Sequence, residues 1–235
     1  MLLEVVCPGV PALENALQGG AQRIELCSDL SCGGITPSPG LTKLALEISG
    51  VPVFPLLRAR EGDFVYSENE KKAMLYDIAA MADLGVHGVV VGSLTPALDL
   101  DLAFVEAAKK AAGDLPITFH RAFDVCNDFK QAAKDLYDLG YGRILTAGQA
   151  PRAAEGLDTL RELVALKERP MILAGGSIRL EQIDDLLEVG VDEIHTAAGT
   201  TEEGVYSRGF FAPGYTSVDS GVVRAMIERL ETKEI

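Results

Sequence analysis

Gly20-Ala21-Gln22-Arg23-Ile24, Gly85-Val86-His87-Gly88-Val89, Gly140-Tyr141-Gly142-Arg143-Ile144 and Gly190-Val191-Asp192-Glu193-Ile194 share one pattern. In each, a glycine precedes by four residues the Ile or Val of a strand-like run. Glycine suits the left-handed position that ends a helix, so each segment reads as a helix end followed by a strand. Outward from these four, short β-branched runs predict strands near Leu2–Val6, Gln22–Leu26, Val53–Arg58, Gly88–Gly92, Ile117–Arg121, Arg143–Ala147, Met171–Ala174 and Asp192–Thr196. Helical periodicity lies between them, over Glu68–Leu84, Asp101–Ala112, Asp128–Leu139, Glu155–Lys167 and Leu180–Val189, and Val222–Glu231 closes the chain. The glycine signature marks the even strands, while Pro52, Pro116 and Pro170 precede strands three, five and seven, where a missing N–H costs little. Eight βα units from 235 residues leave about 29 residues each, enough for a minimal (β/α)8 TIM barrel. The composition is uniform, so residues 1–235 read as a single TIM-barrel domain.

With 21 Lys and Arg against 35 Asp and Glu, the net charge is −14. An acidic chain is repelled by nucleic acid and by anionic membrane surfaces, so neither is an expected partner. No apolar run is long enough to cross a bilayer, and the N-terminus meets Glu4 without a basic segment, unlike a secretory leader. The expected location is the cytoplasm, with four reduced cysteines. Acids such as Glu68, Glu70, Asp77 and Asp83, or Glu181, Asp184, Asp185 and Glu188, fall on predicted helices as a solvated shell.

Parallel barrels build their sites at the C-terminal ends of the strands. There the sequence places Glu4 and Cys7, Glu25 and Cys27, Arg58 and Arg60, His120, Arg121 and Asp124, Thr146 and Gln149, Gly175 and Gly176, and His195 with Gly199. Of the three histidines, only His87 falls at a strand start, on the face that serves stability. Arg58 and Arg60 share an alternation phase, so both are expected to point the same way. They either pair with Glu4 and Glu25 in a buried ion network or clamp a carboxylate or phosphate. Gly175-Gly176-Ser177 and Ala198-Gly199-Thr200 resemble backbone phosphate cradles. Cys27 and Cys32 are spaced C-x4-C, a spacing open to a soft metal such as Cu(I) or Zn, though without a second ligand pair it reads first as buried small hydrophobes.

The runs Arg23-Ile24-Glu25-Leu26-Cys27, Gly33-Gly34 with Thr36-Pro37-Ser38, Arg58-Ala59-Arg60-x-Gly62-Asp63-Phe64-x-Tyr66-Ser67, Thr118-Phe119-His120-Arg121-Ala122-Phe123-Asp124 and Leu145-Thr146-Ala147-Gly148-Gln149 resemble the CutC family of copper homeostasis proteins. The resemblance covers about residues 1–200 and implies a TIM barrel, the cytoplasm and Cu(I) binding. The family's copper is attributed to cysteines at the ends of strands one and two. Cys27 matches the second; the place of the first holds Val6, with Cys7 one residue on, and Cys32 is an additional thiol. One residue along a strand reverses the side chain's face, so Cys7 is expected to point away from Cys27 unless the strand has ended. The tail Glu202–Ser220 departs from the family pattern, with Arg208 its one comparable residue.

Two functions follow. The first is copper handling by rim thiolates, with Cys27, Cys7 and Cys32 as ligands. The second is an enzyme acting on a small anion. There Arg58, Arg60 and Arg121 with Thr146, Gln149, Gly175, Gly176 and Gly199 hold the ligand. Glu4, Glu25, His120, Asp124 and His195 supply acid, base and orientation. Helix faces such as 103–112 and the Phe210-Phe211 loop offer surfaces for a homo-oligomer.

Overall fold

A computed structural model describes residues 1–203 and 214–232. The first strand β1 (Leu2–Cys7) leads through α1 (Val10–Gly19) to β2 (Arg23–Leu26), α2 (Pro39–Ile48) and β3 (Val53–Pro55). Then α3 (Glu68–Leu84), β4 (Val89–Val91), α4 (Leu102–Ala112), β5 (Ile117–Phe119), α5 (Phe129–Asp138) and β6 (Arg143–Thr146) alternate. After α6 (Leu157–Val164), β7 (Met171–Ala174), α7 (Ile183–Val189) and β8 (Glu193–Thr196), a hairpin of β9 (Gly199–Glu203) and β10 (Gly214–Val218) precedes α8 (Ser220–Glu231).

All eight strands β1 to β8 pair in parallel in the order β3-β2-β1-β8-β7-β6-β5-β4. The two edges meet at a parallel bridge between Leu56 and Val90, where the Leu57 N–H donates to the Val90 carbonyl at 2.7 Å. The sheet is therefore a (β/α)8 barrel. The four repeat glycines have φ of +93°, +84°, +76° and +82° at 20, 85, 140 and 190, the helix-ending geometry their spacing predicts.

Strand alternation divides the apolar side chains into two cores. Leu3, Val5, Cys7, Ile24, Leu26, Val89, Val91 and Ile194 face outward and join the helices in the main core. Val6, Cys27, Phe54, Leu56 and Val90 form a separate, smaller cluster inside the barrel. Beside Leu145, Leu173 and Thr118, the rest of the interior carries the charged Glu4, Arg23, Glu25, Arg143 and Glu193, whereas barrel interiors are ordinarily filled by branched apolar layers.

Two expectations are corrected. Strand β3 ends at Pro55, not at Arg58. Beyond it, Arg58 is tied to the loop after β2: its N–H donates to Thr36 Oγ1 at 3.0 Å, and its carbonyl accepts from the Thr36 N–H at 3.2 Å. The β9–β10 hairpin lies where the periodicity showed no element. Phe210, Phe211 and Arg208 fall outside the described residues. Among the described residues, no helix is long and apolar enough to cross a membrane.

Candidate active site

The deepest polar layer is an ion network that sequence reasoning did not single out. Arg23 projects inward from β2 and donates through Nε to Glu4 at 2.5 Å, and through both terminal nitrogens to Glu193. Arg143 donates to Glu193 from the other side at 2.8 Å. Both guanidiniums lie over the Phe54 ring, 5.3 and 5.4 Å from its centroid. The partners expected of Glu4 and Glu25 were Arg58 and Arg60. The structure gives Glu4 to Arg23 instead, a residue whose phase, shared with Glu25 and Cys27, was visible in the sequence.

Above this layer, His195 Nδ1 lies 2.7 Å from Glu4 Oε1, so its Nδ1–H donates to the carboxylate. Its Nε2 lies 3.8 Å from Glu25 Oε2. Glu4, Glu25 and His195 are all buried, and their ligand atoms lie within 4.8 Å of one another. Burial alone would raise the Glu4 carboxyl; the His195 hydrogen bond and the Arg23 charge outweigh it and bring it down to about 2. Burial pushes Glu25 up to about 7, with the Glu4 charge adding to the rise against the pull of His195 and Arg23. Burial opposes the His195 charge, but Glu25 and Glu4 outweigh it and raise His195 above the ordinary imidazole range. Two carboxyls in contact with one ring are thus driven apart in acidity, the arrangement that assigns acid and base roles.

Glu25 and His195 line a cavity of about 660 Å³ at the strand C-termini. Arg58, His120, Arg121 and Gln149 share its wall with apolar Val6, Leu56, Phe64 and Leu145. His120 is held by an N-cap contact, its Nδ1 accepting from the Ala122 N–H at 3.1 Å. Gly92 makes room for the ring, since a Cβ there would meet it at 2.5 Å. Burial and the nearby Arg58 charge drop His120 to about 3, so it is neutral.

Asp124 organises the rim. It accepts hydrogen bonds from the Thr146 hydroxyl, from the Ala147 and Gln149 N–H groups at 2.9 and 3.1 Å, and from Arg121 Nε at 2.7 Å. With its oxygens so occupied, it positions Arg121 and Gln149. Thr146 is fully buried behind it. Gly176 (φ +111°) lies on the cavity wall, its position such that a Cβ would meet Arg121 at 3.3 Å, whereas Gly175 packs on Leu145 and His195. Gly199 is exposed at the start of β9 and is not part of the cavity.

Arg60 is the clearest displacement. It turns outward and wraps its own loop, with bonds to Asp63, Glu70 and the carbonyls of Glu61 and Val65. Alternation failed to predict this because the strand had already ended. The cysteines also separate. Cys7 belongs to the outer core and Cys27 to the inner one, as the one-residue offset predicts. Cys32 is half-buried on a short 3₁₀ turn (Leu30–Cys32), its thiol donating to the Asp29 carbonyl at 3.1 Å. Burial, then the Glu25 charge, pushes both the Cys7 and Cys27 thiols up, away from the thiolate that soft metals require. The three thiols do not form a convergent ligand set.

Known proteins resemble this chain in sequence and fold. Among solved structures, CutC from Streptococcus agalactiae, a protein named for copper homeostasis, superposes with a TM-score of 0.79 at 32% identity, covering 84% of this chain and 98% of that one. Thiamine phosphate pyrophosphorylase from Pyrococcus furiosus, at 17% identity and a TM-score of 0.62, covers 98% of this chain and shares the barrel alone. Proteins described as family protein CutC from Salmonella paratyphi B and Salmonella schwarzengrund are each 43% identical over 198 residues, 84% of this chain and 80% of theirs. The CutC family model matches residues 1–200, a span that holds the barrel strands and every cavity residue named above, and the chain belongs to the CutC family.

Proposed function

We propose that this chain is an acid–base enzyme acting on a small anionic metabolite, working by proton transfer between Glu25 and His195. The observation that carries this reading is the chain of contacts Arg23–Glu4–His195–Glu25, which ends on the cavity. Glu4, kept ionised by the His195 hydrogen bond and the Arg23 charge, holds the His195 ring by Nδ1–H and leaves Nε2 toward Glu25. A base oriented by a buried carboxylate is the general form of an activated catalytic pair. One member accepts a proton from the substrate, and the other returns it to a neighbouring atom. Arg58 and Arg121 give the cavity its cationic character within an acidic molecule.

Deuterium uptake tests the reading. The chain is incubated in D2O with a panel of small carboxylic acids and phosphate esters, and exchange is read by mass spectrometry. Exchange into at least one compound is expected, with Glu25→Gln and His195→Gln each slowing it by about 10²-fold or more. A panel with no exchange, or exchange indifferent to both substitutions, overturns it.

Copper handling is the second reading, and it comes from the S. agalactiae relative's name. On this chain, Cys27 and Cys32 are the two thiols beside the cavity: Cys32 lines it, and Cys27 packs in the inner cluster against Leu30. Anaerobic Cu(I) titration against a chelator decides it: tight stoichiometric binding lost in Cys27→Ser supports it, and wild-type binding equal to that variant rejects it. Either function fits the cytoplasm, where the four free thiols stay reduced. A homo-oligomer is compatible with both.

A further inference from the structure

Arg58 Nε and His120 Nε2 are buried and have no hydrogen-bond partner among the described residues, yet both side chains line the cavity. The two residues are only 5% and 4% exposed. Because His120 Nδ1 accepts from Ala122, the ring proton sits on Nε2, a donor with nothing to receive it. Arg58 donates from Nη1 to the Cys32 and Gly34 carbonyls at 2.9 and 3.0 Å, and from Nη2 to the Gly62 carbonyl at 2.7 Å. All of these acceptors are neutral. The arginines deeper in the barrel are paired with a carboxylate, Arg23 and Arg143 with Glu193. The Arg58 guanidinium thus meets neutral groups, these carbonyls with the Phe64 ring and the Tyr66 hydroxyl, and native structures rarely leave a buried charge without an ionic partner.

One side chain covers both. The Phe64 ring centroid lies 5.1 Å from Arg58 Cζ and 4.9 Å from the His120 ring. Its backbone is fixed, the Phe64 carbonyl accepting from Leu94 N–H at 2.9 Å while Arg60 clamps the carbonyls on either side at Asp63 and Val65. The ring itself makes no hydrogen bond, so a turn about χ1 would move it without moving this backbone.

We propose that Arg58 and His120 form the subsite for a carboxylate group of the substrate, uncovered when the Phe64 ring turns aside. This rests on the acid–base reading for the reacting end of the substrate and specifies the other end. The charge count selects the ligand. Arg58 supplies one positive charge and neutral His120 none, which matches a carboxylate. A phosphate monoester carries about −1.5 to −2 at neutral pH, and the next guanidinium, Arg121, is already paired with Asp124 at 2.7 Å. The planar carboxylate also suits one N–H from a guanidinium edge and one from an imidazole. The substrate class is a small carboxylic acid, with its carboxylate at Arg58 and His120 and its exchangeable proton at Glu25 and His195.

The test is titration of the full chain, labelled with ¹⁵N-histidine, with acetate and separately with inorganic phosphate. The three histidines are resolved by comparison with His120→Asn. Acetate is expected to shift the His120 Nε2–H signal saturably, at least tenfold more tightly than phosphate. Arg58→Lys is expected to weaken acetate binding at least tenfold, Phe64→Ala to strengthen it, and Glu25→Gln to leave the shift in place. Should Arg58→Lys fail to fold, the loss of acetate binding in His120→Asn, read by titration calorimetry, reports the same site. Phosphate binding tighter than acetate overturns the carboxylate assignment, and no saturable shift with either anion overturns the subsite. Deuterium exchange that persists in the absence of acetate binding would sink the subsite and spare the acid–base pair. Acetate binding without exchange on any carboxylic acid does the reverse.

Discussion

His120 shows how one side chain links packing to pH. Its ordinary imidazole value is near 6.5, and burial followed by the Arg58 charge holds it at about 3 in the fold. The folded state therefore refuses a proton that the unfolded chain accepts. Its contribution to stability is complete above pH 6.5 and is lost as pH falls toward 3, at a rate of about 1.4 kcal/mol per pH unit at most. Denaturant unfolding of wild type and His120→Asn at pH 7, 6 and 5 isolates the effect, because the difference cancels Glu25 and the other carboxyls. The advantage of wild type over the variant should shrink with acidification; a difference independent of pH would show that the ring is not held neutral. At this scale the sequence was readable wherever a strand continued. The strand ends put Glu4, Glu25, His120 and His195 on one face of the barrel. Alternation misplaced Arg60, because Thr36 draws the chain away after Pro55, and it passed over Arg23, which sits one layer below the strand ends where sites are sought.

At the scale of the elements, the repeat glycines stop the helices. Gly85 ends α3 at φ +84°, and a Cβ added there would meet no atom within 4 Å, so its role is conformational and not steric. Gly85→Ala is expected to cost about 1–2 kcal/mol through left-handed strain alone, whereas Gly50→Ala, at an equally open site without positive φ, should stay within about 0.5 kcal/mol. Equal effects in thermal denaturation would refute the assignment. The helix starts are also chemically marked. Ser67 and Glu70 form a reciprocal capping box on α3, a start signal that coincides with the bound periodicity gave it. Less legible was α6: a 3₁₀ turn over Ala153–Glu155 precedes it, and Gly156 at its start approaches the backbone of Ala147 and Gly148 too closely for any side chain. No periodicity reports such a contact, because it joins two loops that are distant in pattern and adjacent only in space. The β9–β10 hairpin was missed for a related reason: its strands are half exposed and polar, so they lack the apolar alternation that marks the barrel strands.

At the scale of the molecule, the barrel wall is a partition. Its lumen holds the buried charges beside a small apolar cluster, its outer face is apolar, and the two cores on its sides share no buried residue. The net charge of −14 belongs to the outside; the cavity gathers Arg58, Arg121 and His120 around Glu25 and His195. This division gives the four thiols a use that does not depend on any metal. Cys32 is half-buried, Cys126 is tucked at 5% exposure in the outer layer, and Cys7 and Cys27 are sealed on opposite sides of the same wall. They are four internal clocks. In pulsed alkylation read by peptide mass, Cys32 should react first. If the shell of helices loosens before the barrel opens, Cys7 becomes labelled while Cys27 stays protected; simultaneous labelling would mean that lumen and shell come apart as a single cooperative unit.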